Sequence, residues 1–279
     1  MAREAISAPS LTGGCPMIIR KRNIIICLLV IAGITAAFIT LRAPRVKPVV
    51  EMYDLTTAAQ NTHMPMFYVD TDRKAVAITF DISWGEEMPE KILDVLKEHD
   101  QKATFFLSGP WAKHYKDVVK RIVDEGHEIA SHGQDHDNLS QFPKEDIRHN
   151  IQSAHDILVN LTGYTPTFFR PPNGDYNDLV VLTAKELGYE TVIWSVDSRD
   201  WQRPGVSYIV ERVSRYCFRG AILLFHASDS APDTPGALPM VLENLKTAGY
   251  EIMPLGELLR LGTPARDDPR GRPESELPR

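Results

Sequence analysis

Residues 75–107 read AVAITFDISWGEEMPEKILDVLKEHDQKATFFL, and the alternation inside this stretch decides the fold. Ala75–Phe80 is a β-rich apolar run. Pro89–His99 follows with helical spacing, its stripe of Ile92, Leu93, Val95 and Leu96 set against Glu90, Lys91, Asp94, Lys97 and Glu98. Ala103–Leu107 is apolar and β-rich again. A strand, an amphipathic helix and a second strand make a crossover unit, and such units place their strands parallel.

The same alternation continues outward. Strand-like runs recur at Glu128–Ser131, Thr167–Arg170, Glu190–Ser195, Ala221–Phe225 and Tyr250–Met253. Amphipathic segments lie between them at Trp111–Glu125, Lys144–Leu161, Asn177–Leu187, Ser207–Tyr216 and Leu238–Ala248. Seven strands in one domain predict a small barrel or a strongly curved sheet, with an open doubly wound sheet as the alternative.

The flanks differ in kind. Ile24–Leu41 (IIICLLVIAGITAAFITL) carries no charge over eighteen residues and, as a helix, spans about 27 Å. Arg20, Lys21 and Arg22 precede it, although Arg42, Arg45 and Lys47 crowd the other side. An uncleaved transmembrane anchor is favoured over a cleaved signal peptide, because the apolar run continues past the small residues Thr35, Ala36 and Ala37. MIIRKRN from Met17 is an alternative start. The expected organisation is a cytoplasmic segment 1–23, the anchor 24–41, a proline-bearing stem 42–72, a folded domain 73–261 and a disordered tail 262–279.

Composition excludes several classes of function. A 43% hydrophobic and 24% charged chain of 279 residues supports a globular core, and a net charge of -6 argues against nucleic acid. Of three cysteines only Cys217 lies beyond the apolar segment, so the domain holds no internal disulfide and no cysteine metal cluster.

The polar residues cluster where strands end. Asp81 follows the first run, His132 and His136 the third, Arg170 ends the fourth, Asp197 and Asp200 follow the fifth, and His226 follows the sixth. In parallel α/β folds these ends share one face, where active sites are built. Each residue alone has a plainer reading: Asp200 as a helix cap, His226 in the core, His132 and His136 at the surface. Their convergence is what argues for chemistry. His132 and His136, four apart, share a face if SHGQDH makes a helical turn, and such a pair suits a divalent metal.

Five ordered motifs carry a resemblance: ITFD (78–81), SHGQDH (131–136), FRPPNG (169–174), DSRDW (197–201) and LLFH (223–226). Together they resemble the polysaccharide deacetylase, or NodB-homology, family over residues 70 to 260, and TFDISWGE brings the chain nearest to the PdaB-like sporulation deacetylases. The resemblance implies a distorted (β/α)7 barrel with parallel strands, a divalent metal such as zinc or cobalt, and hydrolysis of N-acetyl groups on a cell-wall polysaccharide, spore peptidoglycan above all. It implies His132 and His136 as metal ligands, Asp81 as general base, His226 as general acid, Asp200 tuning His226 and Arg170 orienting Asp81. It also implies the Asn173 backbone N–H as oxyanion donor, and Trp201 with Leu224 as walls of an acetyl slot. With the anchor, the expected location is the cell membrane, the catalytic domain facing out.

Two positions depart from the family. Ile82 stands where a second, metal-binding aspartate is usual, and Gly133 replaces a serine or threonine, which predicts a looser loop. The vacancy is filled by Glu86, Glu87 or Asp135, or by water, or else the domain binds glycan without turnover. The intact acid–base set favours the enzyme. On that reading Asp81→Asn and His226→Ala abolish acetate release and leave the fold intact.

Overall fold

The computed structural model describes residues 63–278. The expected anchor 24–41 lies outside the described residues, and among those described no helix is long and apolar enough to cross a membrane.

The elements follow the predicted alternation. After β1 (Tyr68–Asp70) come β2 (Ala75–Ile82), α1 (Glu87–Glu98), β3 (Thr104–Leu107), α2 (Gly109–His114), α3 (Lys116–Asp124) and β4 (Glu128–Ser131). Then come α4 (Lys144–Thr162), β5 (Phe168–Phe169), α5 (Asp178–Glu186), β6 (Glu190–Thr191) and β7 (Val196–Asp197). The chain continues through α6 (Val206–Tyr216), β8 (Ile222–His226), α7 (Thr234–Thr247), β9 (Glu251–Met253), α8 (Leu255–Leu259) and β10 (Thr263–Ala265). The main sheet is parallel, in the order β6-β5-β4-β3-β2-β8-β7, with β9 beside the first residues of β2.

All eight residues of β2 are buried, as expected of a strand covered on both faces. Its alternate side chains divide the work. Ile78, Phe80 and Ile82 join Ile92, Leu93 and Leu96 of α1 in the core cluster, whereas Thr79 and Asp81 bond to Arg170 inside the curl of the sheet.

The expected distorted (β/α)7 barrel takes the form of a curled parallel sheet with a seam. The predicted strand Glu190–Ser195 is shortened to β6, which pairs with β5, and the strand that pairs with β8 is β7, starting just beyond it at Val196. Between them the chain bends, because the carbonyls of Val192 and Ile193 accept from Arg170 and the N–H of Ile193 donates to Met66 O. One stretch of chain, rather than a ladder, joins the two ends of the sheet.

Both expected domain boundaries also move. The stem was drawn to residue 72, but Met66, Phe67 and Val69 are fully buried and β1 pairs antiparallel with β10. The tail was expected to be disordered from 262, but it contributes β10 and packs Leu277 against the core. Apolar content concealed this, since the tail is held mainly by polar contacts. Arg266 donates to both carboxylate oxygens of Glu190 (2.8 and 3.1 Å) and to Met64 O (2.6 Å), and Tyr68 donates to Asp267 (2.9 Å). Removing residues 263–279 strips these bonds and uncovers Phe67. At ~2–4 °C per kcal/mol for a domain this size, loss of ~3 kcal/mol lowers the Tm by about 10 °C. An unchanged calorimetric Tm would restore the disordered-tail expectation.

Candidate active site

Arg170, at the end of β5, has no exposed surface. Its Nη1 donates to Asp81 Oδ1 (2.6 Å) and Thr79 Oγ1 (3.0 Å), and its Nη2 to Ile193 O (3.1 Å). The Phe106 ring lies 4.0 Å from the guanidinium carbon. Burial by itself pushes the Asp81 carboxyl up most strongly, but the Arg170 charge and hydrogen bond, with His132 and His226 beside it, together outweigh it and hold Asp81 below its ordinary value. Asp81 is therefore ionised at neutral pH, with Oδ1 engaged and Oδ2 facing His132.

His132 is oriented through the same residue. Its Nδ1–H donates to Arg170 O (2.8 Å), which fixes the tautomer and leaves Nε2 unprotonated, 3.8 Å from Asp81 Oδ2. Burial pushes His132 down to about 4, and burial lowers His136 also, so both imidazoles are neutral near pH 7. Their ring centroids are 5.3 Å apart, and Trp84 lies 4.6 Å from His136. No helical turn brings the pair together. Gly133 does so, with φ 77°, where an added Cβ would meet Asn150 Oδ1 at 2.5 Å. Asn150, from the buried face of α4, accepts from Gln134 N (2.8 Å) and donates to Asp135 O (3.3 Å). The expectation that Gly133 loosens the loop is thus reversed, because the missing side chain lets Asn150 clamp the backbone.

His226 is the Cα partner of Asp81 in the β2–β8 register, so the two side chains leave the same face on strands about 5 Å apart. Its Nδ1 bonds Asp200 Oδ1 at 2.7 Å. Asp200 is fully buried and also accepts from His226 N, Thr234 Oγ1 and Trp201 N, at 2.7, 2.7 and 2.8 Å. Burial by itself lowers the imidazole, but the Asp200 charge and hydrogen bond outweigh it and raise His226 above its ordinary value. An acid is thereby set beside a base.

Of the remaining candidates, Asn173 sits in the turn after β5 with φ 59°, and its side chain donates to Asn138 Oδ1. That leaves a backbone role at the site. Leu224, two residues before His226 and on the same face, is 2% exposed, and Trp201 is 49% exposed. Asp197 lies outside the acid–base cluster, holding Arg199 N and Arg212 Nε instead. Sequence reasoning missed Thr79, Thr234 and Asn150. The only available signal was a polar residue at an apolar position, as with Asn150 between Ile147 and Ile151.

The donor chemistry suits a divalent cation on two imidazoles, with the family's third protein ligand lacking. Ile82 is fully buried in the core cluster, and among the described residues no three His, Cys, Asp or Glu side chains are arranged to hold a metal. Among the described residues Glu86, Glu87 and Asp135 form no such group with the two imidazoles. Ser83, Trp84 and Gly85 are held in a fixed loop: Trp111 Nε1 donates to Gly85 O (2.7 Å), Asp229 N to Trp84 O (3.2 Å), and Ser83 N to Ser228 Oγ (3.2 Å).

One expectation about variants also changes. Asp81→Asn does not leave the fold intact, because it strands a buried guanidinium; a loss of ~3–5 kcal/mol in urea unfolding is expected. His226 is the cleaner probe. In Asp200→Asn burial acts on the imidazole against only the weaker charges of Asp81 and Asp197, so its NMR titration midpoint falls. The pair's contribution to stability is present below the unfolded His pKa of about 6.5 and fades as pH rises through the higher folded one. A midpoint unmoved in the variant would disprove the coupling.

A model for polysaccharide deacetylase matches residues 68–192. A peptidoglycan-N-acetylglucosamine deacetylase of Bacillus cereus is 37% identical over 195 residues, covering 69% of this chain and 91% of that protein. The uncharacterized YlxY protein of Bacillus subtilis is 32% identical over 195 residues, covering 70% of this chain, which spans only 60% of that relative's length. Among solved structures, a CE4 family pseudoenzyme from Bacillus anthracis superposes with TM-score 0.67 at 35% identity, covering 71% of this chain and 69% of that one. A mutant of that pseudoenzyme, described as having restored enzymatic activity, matches equally well. The curled parallel sheet, the ordered motifs at its strand ends and these likenesses agree, and the chain belongs to the polysaccharide deacetylase family.

Proposed function

We propose that this protein is a peptidoglycan N-deacetylase, hydrolysing the acetamide of an amino sugar to acetate and a free amine. The observation that carries the reading is the opposed pair on neighbouring strands: Asp81 held ionised beside Arg170, and His226 given a raised proton affinity by Asp200. A water on the Asp81 side gives its proton to Oδ2, since Oδ1 is engaged. The resulting hydroxide adds to the acetyl carbon. His226 then gives a proton to the sugar nitrogen as the C–N bond breaks; its Nδ1 is bound to Asp200, so Nε2 is the donor. The Asn173 N–H supplies a donor for the oxyanion, and Leu224 with Trp201 flanks the acetyl methyl. His132 and His136 would hold a divalent cation, zinc or cobalt, which as a Lewis acid polarises the carbonyl.

The relatives' names point to peptidoglycan as the polymer, and the PdaB-like motif TFDISWGE to that of the spore. The segment 24–41 would anchor the chain in the cell membrane with the domain facing out, where such a polymer lies.

The second reading, a glycan-binding module without turnover, is favoured by Ile82 and by the likeness to a pseudoenzyme. Acetate release from purified peptidoglycan separates the two. The deacetylase releases acetate, loses it with chelator, regains it with zinc or cobalt, and falls ~10²–10⁴-fold in His226→Ala. Absence of acetate under every metal, with glycan affinity unchanged in His226→Ala, decides for the binding module.

A further inference from the structure

A cavity of about 860 Å³ lies apart from the acid–base residues, against the outer side of the sheet's seam. One wall is the chain from Trp194 through β7 to Arg199, another is the Arg212–Tyr216 end of α6, and the third is the C-terminal segment from Asp268 to Leu277. Its volume falls within the roughly 300–1,000 Å³ typical of sites for small organic ligands.

The lining is basic in an acidic protein: five arginines, at 199, 212, 215, 270 and 272, against three carboxylates. Three of these arginines are already paired. Arg270 grips Asp268 (2.7 and 2.9 Å), Arg215 bonds Glu274 (3.2 Å), and Arg272 bonds Asp267 (3.1 Å). The other two differ. Arg212 is anchored by its Nε on Asp197 O (2.6 Å), with its guanidinium 5.1 Å from the Tyr216 ring centre. Among the described residues its terminal nitrogens meet no acceptor, and the Arg199 side chain makes no hydrogen bond. An anchored, stacked guanidinium with free terminal nitrogens is a preorganised fork for a carboxylate. Val196, Pro269 and Leu277 supply apolar walls beside it.

We propose that this cavity binds a carboxylate-bearing peptide attached to the glycan on which the catalytic residues act. The inference rests on the deacetylase reading for the glycan and on the cavity for the peptide. The connection between the sites is covalent, since Arg199 immediately precedes Asp200, the partner of His226. A glycan whose acetamide lies at His226 would extend its peptide branches toward this recess past Arg199. Recognition of the branch selects peptide-substituted strands over bare ones and leaves the acid–base chemistry untouched.

The test is calorimetric binding to the full chain, kept separate from acetate release. The probes are a soluble disaccharide-tetrapeptide with free carboxylates, the same molecule with its carboxylates amidated, and a neutral N-acetylglucosamine tetramer. The free-carboxylate probe binds about tenfold tighter than its amidated form, an advantage that shrinks with added salt. Arg212→Gln abolishes the difference and Arg199→Gln reduces it, while binding of the neutral tetramer is unchanged in both. Arg199 makes no side-chain hydrogen bond among the described residues, so its variant decides the matter if Arg212→Gln fails to fold. Equal affinity for the free and amidated probes, or full affinity retained in the variants, overturns the proposal. Charge-dependent binding without acetate release sustains this site and defeats only the catalytic reading.

Discussion

Arg170 carries its charge with no exposed surface, and a buried guanidinium persists only when its donors are met. Asp81, Thr79 and the carbonyls of Val192 and Ile193 meet them, and those partners come from β2 and from the chain between β6 and β7. The side chain therefore ties the middle of the sheet to its seam. Its carbonyl fixes His132 and its charge fixes the ionisation of Asp81, so fold closure and catalytic electrostatics share one side chain. The family's usual arginine is better understood here as a structural strut with a catalytic consequence than as a residue serving the base alone.

Asp200 plays the matching part on the other side. Its four hydrogen bonds reach β8, the start of α7 and its own turn, and the imidazole donates the last of them. Base and acid are each held by a buried partner of opposite charge, which separates their proton affinities while the strand register keeps the two side by side. On the proposed reading this acid–base half of the site is complete. The metal half is not, since Ile82 gives to the core what an aspartate would give to a cation.

The seam shapes the rest of the molecule. A sheet whose end strands are two residues each cannot close by a ladder, and the gap is covered instead by Met66 and the C-terminal segment. Covering it with arginine–carboxylate pairs rather than apolar side chains leaves a basic recess on the outside of the barrel wall.

The sequence by itself determined the parallel order of strands and helices, because hydrophobic period and strand-to-helix alternation are local properties. It also determined which residues meet at the rim, since strand ends in such a fold share one face and Asp81, His132, His136, Arg170, Asp200 and His226 all follow strands. Tertiary structure alone decided what those residues do for one another. The early end of the strand predicted at Glu190–Ser195 depends on Arg170 reaching two carbonyls, and the ordering of the tail depends on Arg266 finding Glu190, a partner 76 positions away. Gly133 adds order to its loop because Asn150, from another element, packs against it and holds the backbone. Hydrogen bonds and buried charges act between chain-distant partners, and no local pattern records them.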